Sequence, residues 1–527
     1  MNFDEHSPLR KLVESHITKL GKLYNELQKA HPVPFILLPC AINIIQFYWQ
    51  NIVQEGERAI SFYGAGRAVD PPLFEKFLVQ GLLLLKRVIK GSFYRVDAAN
   101  SDEENTNAQQ ARALIDSRLL TPAFVHSCAE VLVTKYMQLR PEDLDLWESD
   151  PEGWVNGEEA DHWEFELKPC AEKVFMDLLI SYTEQLSPIL VNLVDTVAVV
   201  NDQNSLLFKD AIYCSIGLGA NELFNTFDFN TFLVNRLVPE IANKEPTFKI
   251  LRRRIAWMIG HWIGVKIDKQ YRSYVYQIML QLLAPEEDMV VRLVAANNLR
   301  NCVDDWDFET EDFVPYIESS ILLLTALLKD VEEFDSRMRI LNCLNIVIDR
   351  VETRIAPYAQ QIVELLPPLW AAAEDDHLFK STILVTLTKL VGEAHIYLLE
   401  DGLDLWWVTI QSATECTPQL LQMFPAAVEY LEYGTETLRK VLKIIESYVM
   451  LAPEAILSQF ALPLFTSLAG LIGDLKPEAT NTIIHLLDTI LLCAPIQLYA
   501  EALINSNLLW RMLNIILENK VSLSAVA

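Results

Sequence analysis

Residues Glu287–Leu299 read EDMVVRLVAANNL and decide the fold. Asp288 stands just before an apolar run, and Arg292 follows one helical turn later. Ala295 and Leu299 recur at the spacing of one helix face, which predicts an amphipathic helix that begins after Asp288. The small Ala295 allows a neighbouring helix to approach closely, so this helix is expected to pack inside a stack of helices.

The same arrangement recurs along the chain at a nearly constant interval. Basic residues open apolar helical segments at Lys209, Arg253, Arg292, Arg339 and Lys380, which gives intervals of 44, 39, 47 and 41 residues. A period near forty is that of two helices and two turns, the unit of a HEAT repeat. We therefore predict an all-α fold, a HEAT-repeat α-solenoid, that is, a superhelix of antiparallel helix pairs.

Within such units an Arg can reach the Asp of the neighbouring unit and form a ladder along the stack. The residues predicted to form this structural ladder are Asp288, Arg253, Arg292 and Arg339. The alternative is an irregular helical protein in which Arg stands at helix starts by chance. Repeat scaffolds of this kind hold other macromolecules along an extended surface rather than close a catalytic pocket.

Length and charge narrow the class of protein. The chain has 527 residues, too many for one hydrophobic core, and 51% of them are hydrophobic. The net charge of −28 is opposite to that of a nucleic-acid binder and disfavours anionic membranes. It favours a basic protein partner, because opposite potentials raise encounter rates. The alternative explanation of the charge is solubility.

We predict four regions. Residues 1–140 are irregular helical repeats with a polar loop near 100–110, and residues 141–168 are an acidic insertion loop with tryptophans. Residues 169–392 are regular HEAT repeats, and residues 393–527 are further HEAT-like helices. A helix that ends at Val391 is followed almost at once by another at His395–Ile410, which indicates that half a repeat has been lost between them.

The acidic insertion is a first candidate for partner binding. Between Pro141 and Glu166 there are eleven acidic residues and no Lys or Arg, and Gly153 and Gly157 disfavour a continuous helix. Carboxylates could pair with basic side chains of a ligand, and tryptophan could stack on them. The candidate residues are Trp147, Glu148, Asp150, Glu152, Trp154, Glu158, Glu159, Asp161 and Trp163. The alternative is a solvated loop whose tryptophans dock on its own scaffold.

A second candidate is the basic run Arg252, Arg253 and Arg254. Three consecutive residues at a helix start cannot face one way. One of them is expected to serve the ladder, and the others to face solvent or an acidic neighbour. A contact with an anionic protein surface is possible at this position.

A search for catalytic motifs favours a protein that is not an enzyme and has no cofactor. The glycines at 64–66 and at 217–219 do not follow strands, so a phosphate loop is not indicated. His261 lies on an apolar helix, as expected of a core or groove histidine rather than a metal ligand. The eight cysteines are scattered, which is typical of reduced, packed thiols. We identify no secretory signal and no apolar run long enough to insert in a membrane.

Several runs resemble the importin-beta (karyopherin-beta) superfamily, and within it the importin eleven-like branch. They are LDLWESDPEG at 144–153, LKPCAE at 167–172, KDAIY at 209–213, LRRRIAWMIG at 251–260 and YLLEDGLDLW at 397–406. The resemblance covers most of residues 70–470. It implies a nuclear transport receptor that binds cargo proteins, FG-nucleoporins and the GTPase Ran in its GTP form, and moves between cytoplasm and nucleus through the pore.

Family members are about twice as long as this chain. The resemblance therefore implies that this chain lacks the amino-terminal repeats, which make the main contact with Ran, and the carboxy-terminal repeats. We expect an import receptor in incomplete form, with acidic residues of the second helices facing basic cargo. The alternative function is a HEAT-repeat scaffold or regulatory subunit unrelated to transport. Binding to Ran-GTP and to FG-repeat peptides separates the two.

Overall fold

The computed structural model describes residues 8–63, 72–96, 101–158, 162–197, 200, 202–373, 376–432, 437–472 and 477–514. These ranges are built of helices and turns and contain no strand, as the all-α prediction requires. The chain divides into two compact units, Met1–Tyr316 and Ile317–Ala527.

The first unit contains helices of very different length. They are α1 (Pro8–Ala30), α2 (Pro32–Leu37), α3 (Ala41–Tyr63), α4 (Pro72–Lys90), α5 (Asp102–Arg118), α6 (Pro122–Val131), α7 (Pro141–Ser149), α8 (Pro151–Glu158), α9 (Leu167–Ser181), α10 (Thr183–Thr196), α11 (Gln203–Leu218), α12 (Ala220–Leu223), α13 (Phe229–Phe232), α14 (Val238–Ile241), α15 (Lys249–Lys266), α16 (Arg272–Leu282), α17 (Met289–Val303) and α18 (Thr310–Phe313).

The second unit continues the alternation of helices. Its helices are α19 (Ile317–Asp330), α20 (Phe334–Val351), α21 (Ala359–Val363), α22 (Leu366–Ala372), α23 (His377–Ser412), α24 (Pro418–Glu429), α25 (Leu438–Leu451), α26 (Pro453–Leu471), α27 (Pro477–Cys493) and α28 (Ala500–Asn505). A further helical stretch covers residues 508–514.

Within each unit, alternate helices form a continuous row. In the first unit α4 packs on α9, α11 on α15 and α15 on α17; in the second, α20 packs on α23, α23 on α25 and α25 on α27. The remaining helices pack beside these rows, as α16 does on α17 and α19 on α20. Buried apolar side chains fill the space between the layers. This is the helix-pair stacking that the period near forty predicts.

The basic residues that defined the period all lie on these row helices, close to the amino-terminal end of each. They are Lys209 in α11, Arg253 in α15, Arg292 in α17, Arg339 in α20 and Lys380 in α23. The phase of the repeat read from the sequence is therefore confirmed.

The polar loop predicted near residues 100–110 is wrong, because α5 covers Asp102–Arg118. Ser101 caps this helix: its hydroxyl accepts the Glu104 N–H at 3.3 Å, and the Glu104 carboxylate accepts the Ser101 N–H at 2.9 Å. Such a reciprocal cap satisfies two backbone donors at the helix start. Ala111 and Ile115 then bury one face of the helix.

The acidic stretch predicted as an insertion loop is also largely helical. It forms α7 and α8, which are separated at Asp150. The Asp150 carboxylate accepts the Gly153 N–H at 2.9 Å, and Pro151 occupies the first turn of α8, where its missing N–H costs nothing. The expectation that no single helix runs through this stretch is correct, but its backbone is ordered by caps rather than left as a loop.

Between α11 and α15 the chain is less regular than predicted. Three short helices, α12, α13 and α14, and a π-helical turn at Leu233–Leu237 take the place of one long helix. Asp228 caps α13 by accepting the Thr231 N–H at 3.1 Å. Phe229 stacks on Trp262 of α15 at 4.6 Å between ring centroids, so packing of this broken segment is retained.

The two separate helices predicted on either side of residues 392–395 are one helix. α23 runs without a break from His377 to Ser412, a length of 36 residues. At 1.5 Å per residue this is about 54 Å of continuous helix. The predicted break between two helices at this point is therefore wrong. The loss of half a repeat in this region stays a prediction.

One helix is longer and more apolar than the sequence analysis recognised. Among the described residues α26 has the length and composition to cross a membrane, with a mean hydropathy of 1.3, and 39% of it is buried inside the protein. It packs against α24 and α25. The prediction that no apolar segment is long enough to insert in a membrane is therefore wrong for the length and composition of α26. A core helix of a protein that does not enter a membrane can have the same length and composition.

Candidate partner-binding surface

Helices α7 and α8 lie across the amino-terminal ends of the row helices. α8 packs against α17, and side chains of α7 reach α15, more than a hundred residues further along the chain. The acidic segment is therefore held by the scaffold at several points, and each contact decides which of its side chains remain available to a partner.

Trp147 fixes α7 to the start of α17. Its indole N–H donates to the Asp288 carboxylate at 2.9 Å, while the other role of Asp288 is to cap α17 by accepting the Val290 N–H at 3.0 Å. Lys249 donates to Asp288 at 2.9 Å and to Glu148 at 2.6 Å. Burial lowers the pKa of Lys249, but the hydrogen bonds that it donates to Glu148 and Asp288 outweigh burial and raise the pKa above its usual value.

Arg253 lies against two tryptophan rings that are neighbours of each other. Its guanidinium carbon lies 4.7 Å from the ring centroid of Trp154 and 5.7 Å from that of Trp147, and the two rings are 4.9 Å apart. Only 2% of Arg253 is exposed, and its Nε and Nη2 have no hydrogen-bond partner among the residues that the structure describes. The aromatic faces, with Glu158 at 3.9 Å, supply the negative potential that a buried guanidinium requires.

A balanced cluster of charges lies behind these rings. Arg254 donates to Asp210 through Nε at 2.8 Å and through Nη2 at 3.1 Å, and Lys168 donates to Glu158 at 2.6 Å. Burial raises the pKa of Glu158, but Lys168 and Arg253 overcome it and lower the pKa to about 2. Burial raises the pKa of Glu172 in the same cluster more than Lys168 lowers it.

Arg252 points to a third set of partners. It donates to Glu287 at 2.9 Å and to the carbonyl oxygen of Asn243 at 2.8 Å. The three consecutive arginines are all buried, each with its own acceptor or aromatic face inside the chain. Of the two alternatives predicted for the arginines outside the ladder, solvent or an acidic neighbour, the structure shows the acidic neighbour: Arg252 pairs with Glu287, and Arg253 lies 3.9 Å from Glu158.

The ladder has different rungs from those predicted. Arg254, not Arg253, joins α15 to an aspartate of the neighbouring row helix, Asp210 in α11. Asp288 is met by Lys249 and not by Arg253, whose partners are the tryptophans and Glu158. Arg292 is buried in α17 and Arg339 half-buried in α20, and their place in the ladder stays a prediction.

The predicted binding residues of the acidic segment divide into two groups. Trp147, Trp154 and Glu152 are buried, so their side chains face the scaffold. Glu148 and Asp150 are exposed, and Glu158 is partly exposed. Trp163 is half-buried and lies under the ammonium group of Lys86 at 4.9 Å. Glu159 and Asp161 lie outside the described residues.

The exposed side of α7 is acidic, and sequence analysis missed part of it. Glu142, Asp145 and Asp150 are exposed, with the apolar Leu146 exposed among them. Leu144 and Trp147 occupy the opposite, scaffold-facing side of the helix. The spacing of Glu142, Asp145 and Ser149 at three and four residues would have identified this face had the segment been treated as a helix.

His261 and the glycines at 64–66 and 217–219 are the residues considered above for metal or phosphate binding. No group of three or more His, Cys, Asp or Glu side chains there could hold a metal ion. The Nδ1–H of His261 donates to the Trp257 carbonyl oxygen at 2.9 Å, and the His261 ring packs against the Trp257 ring with 3.9 Å between the centroids. The His261 side chain is exposed, but the packed groups beside it exclude enough water to lower its pKa. The glycines at 64–66 lie outside the described residues, and Gly217 lies in α11 against Trp257.

Comparison with known proteins agrees with this architecture and with the sequence runs. Residues 360–527 match the family of importin-11-like TPR repeats. Human importin-11 is 34% identical over 452 residues, and the Saccharomyces cerevisiae importin beta-like protein KAP120 is 30% identical over 497 residues. The chain belongs to the importin-beta superfamily, in its importin-11-like branch. The two alignments cover 80% and 86% of this importin-11-like chain.

Solved structures of karyopherins have the same fold. The S. cerevisiae protein Lph2, described as a bidirectional nuclear transport receptor, is 27% identical with a TM-score of 0.67, and the match covers 95% of this chain and 54% of Lph2. Kap121p bound to Pho4p is 12% identical with a TM-score of 0.55, covering 96% of this chain and 50% of Kap121p. The chain is thus a HEAT-repeat α-solenoid. It spans about half the length of the importin-11 and KAP120 relatives, 46% and 48%.

Proposed function

We propose that this importin-11-like chain acts, without catalysis, as a nuclear transport receptor that binds basic cargo proteins for import. It would also bind FG-nucleoporins and Ran-GTP and move between cytoplasm and nucleus through the pore. The observation that carries the proposal is an exposed acidic surface, formed by Glu142, Asp145 and Glu148 of α7 around Leu146 and by Asp150 in the turn that follows. Carboxylates beside an exposed apolar side chain suit a basic segment with an apolar anchor.

The way α7 is mounted supports a binding role. The Trp147–Asp288 hydrogen bond and the contact of Arg253 with the Trp147 and Trp154 rings hold the helix against α15 and α17 through buried groups. A surface fixed in this way loses little conformational entropy when a partner binds. Kap121p has been solved with Pho4p and with Nup53p, and Lph2 is described as a transport receptor. These relatives make cargo and nucleoporin binding the first activities to test.

The test for cargo is a pull-down from cytosol with the purified chain, with Ran-GTP or Ran-GDP added, read by mass spectrometry. If the chain is an import receptor, basic proteins should bind to it and be released when Ran-GTP is added. Proteins that bind only when Ran-GTP is added would indicate export. A direct assay with FG-repeat peptides accompanies it. A scaffold unrelated to transport would bind neither Ran-GTP nor the FG peptides, and that result would overturn the proposal.

The surface itself is tested by charge reversal. The variant Glu142→Lys/Asp145→Lys/Asp150→Lys should lose the basic partners, because it replaces three exposed carboxylates of α7 and the turn that follows it. Glu415→Lys/Glu454→Lys/Glu501→Lys makes the same change in charge at exposed acids of the second unit and should retain them. Equal loss in both variants would mean that only net charge matters and that α7 is not the binding face.

A further inference from the structure

A groove of about 600 Å³ runs between α1 and α4, and residues 163–165 also line it. Its charge is opposite to that of the chain. The cations that line it are Lys22, Lys29, Lys76, Lys86, Arg87 and Lys90, and the acids that line it are Glu26 and Glu164. In a chain of net charge −28 this is a local excess of positive charge.

Most of this positive charge is uncompensated. Lys86 is paired with Asp177 at 2.5 Å, and Arg87 donates to the side chain and carbonyl oxygen of Asn25 at 2.7 and 3.0 Å. The four other lysines have neither an ion pair nor a hydrogen bond to any residue the structure describes, and each is exposed; they are Lys22, Lys29, Lys76 and Lys90. Their ammonium groups are available to an anionic ligand.

The floor of the groove is rigid. The Asn25 amide donates to the Gln80 carbonyl oxygen at 3.1 Å, the Gln80 amide to the Thr18 carbonyl oxygen at 3.0 Å, and the Gln28 amide to the Leu84 carbonyl oxygen at 3.0 Å. These hydrogen bonds join α1 to α4 through groups that are largely buried, so the distance between the helices is fixed before any ligand arrives.

Aromatic side chains line the groove near the carboxyl-terminal end of α4. Phe165 is 77% exposed and Phe93 is 53% exposed, and both line the cavity together with Trp163. Lys86 covers the ring of Trp163. Two exposed phenylalanines at the end of a basic groove are ready to receive a large apolar side chain, because burying them removes apolar area from water.

We propose that this groove binds an acidic peptide segment of a partner protein that carries a large apolar side chain among its Asp and Glu residues. The four free lysines meet the carboxylates, and Phe93 and Phe165 receive the apolar side chain. The charge of the chain disfavours a nucleic acid as the ligand. A long polyanion would extend past the groove and be repelled by the rest of the protein, which is strongly negative. This site has the opposite preference to the acidic face of α7 and does not depend on a role in transport.

The test uses the whole chain and fluorescence anisotropy of a labelled short peptide of Asp and Glu residues around one Phe. Binding should weaken as NaCl rises, because exposed charges are screened. The variant Lys22→Glu/Lys29→Glu/Lys76→Glu should bind at least about tenfold more weakly, since like charges now face each other. The matched control Lys173→Glu/Arg300→Glu/Lys329→Glu changes three exposed cations outside the groove and should bind as the unaltered chain does.

Two further arms define the ligand. Replacing the Phe of the peptide by Ser, or Phe93 and Phe165 of the chain by Ser, should each weaken binding; no effect of either would refute the apolar anchor. Equal or tighter binding of a labelled oligouridylate would make this a nucleic-acid site and overturn the proposal. Unchanged peptide affinity in the groove charge-reversal variant would overturn it as well. Circular dichroism confirms that each variant retains its helices.

Discussion

Arg254 donates two hydrogen bonds, of 2.8 and 3.1 Å, to the carboxylate of Asp210 and so joins α15 to α11 inside the protein. The Arg254 side chain is 2% exposed and that of Asp210 is fully buried. Charges removed from water in this way are stable only while both are present and well aligned. The pair joins neighbouring row helices as a ladder rung would, but it consists of Arg254 and Asp210 rather than the predicted Arg253 and Asp288.

Removing one member of this pair should destabilise the chain strongly. Asp210→Ala leaves the Arg254 guanidinium buried without its carboxylate, and we expect a loss of about 3–5 kcal/mol in the free energy of unfolding. Urea denaturation followed by circular dichroism measures it. Asp116→Ala breaks the exposed Arg112–Asp116 pair and should cost below about 0.5 kcal/mol. A similar small loss for Asp210→Ala would refute the argument.

Two carboxylates should make stability depend on acid pH. Burial raises the pKa of Asp210, but Arg254 and then Arg253 lower it below its usual value; Lys168 and Arg253 likewise bring the pKa of Glu158 to about 2. Both carboxylates thus have a lower pKa in the folded state than in the unfolded state, where it is about 4 for both residue types. Their full contribution to the free energy of unfolding is therefore present at neutral pH. It is lost as pH falls from about 4 through the folded pKa values.

The measurement is the urea midpoint between neutral pH and pH 2. Glu158→Gln removes one of the two titrating groups, so its stability should fall less steeply below about pH 4 than that of the unaltered chain. Glu454→Gln, at an exposed position in α26, should leave the profile unchanged. If the profiles of Glu158→Gln and the unaltered chain are parallel, the low pKa of Glu158 makes no contribution.

The indole of Trp147 offers a test of how α7 is fixed. Trp147→Phe keeps an aromatic ring but removes the N–H that Asp288 accepts at 2.9 Å. A hydrogen bond to a charged group contributes about 1.5–3 kcal/mol, so we expect a loss of that order and faster hydrogen exchange in residues 141–158. Trp306→Phe, at a residue 95% exposed, is the matched control and should change neither.

The repeat phase could be predicted because it depends on local spacing. Asp288 caps α17, and Arg292 and Leu299 recur at helical intervals, so the helix and its buried side are visible in thirteen consecutive residues. The helix from Asp102 was also encoded locally, by Ser101 and Glu104, but the charge of the stretch concealed the cap. That error came from reading composition before capping.

The burial of Arg252, Arg253 and Arg254 could not have been read in the same way. Their partners lie far away in the sequence: Asp210 is 44 residues before Arg254, and Glu287 is 35 residues after Arg252. The tryptophans around Arg253 belong to the acidic segment about a hundred residues earlier. Only the fold shows that three charges in a row each have a different partner.

Thiol reactivity should separate the cysteines by burial. Cys40 and Cys493 are exposed, whereas five others are buried: Cys128, Cys170, Cys214, Cys302 and Cys343. Burial raises the pKa of Cys170 to about 12, which leaves little reactive thiolate at neutral pH. We expect Ellman's reagent to modify Cys40 and Cys493 quickly, Cys416 more slowly, and the buried five only in denaturant. Rapid reaction of a buried thiol would contradict the packing described here.

Two glycines at equivalent places in their helices should respond oppositely to alanine. Gly217 and Gly470 are each the penultimate residue of a helix, α11 and α26. A Cβ on Gly217 would lie 2.4 Å from Cζ3 of Trp257, whereas one on Gly470 would meet no atom of the described residues within 4 Å. Gly217→Ala must displace a ring that also packs against His261 and Arg254, and should cost about 1–3 kcal/mol.

Gly470→Ala should be neutral or gain up to about 1 kcal/mol, because alanine restricts the unfolded chain and favours the helix. The thermal unfolding midpoints of the two variants provide the comparison. If Gly217→Ala is as stable as Gly470→Ala, the contact between α11 and the Trp257 ring is looser than the distances require, and the close approach of α11 to α15 does not depend on glycine at this position.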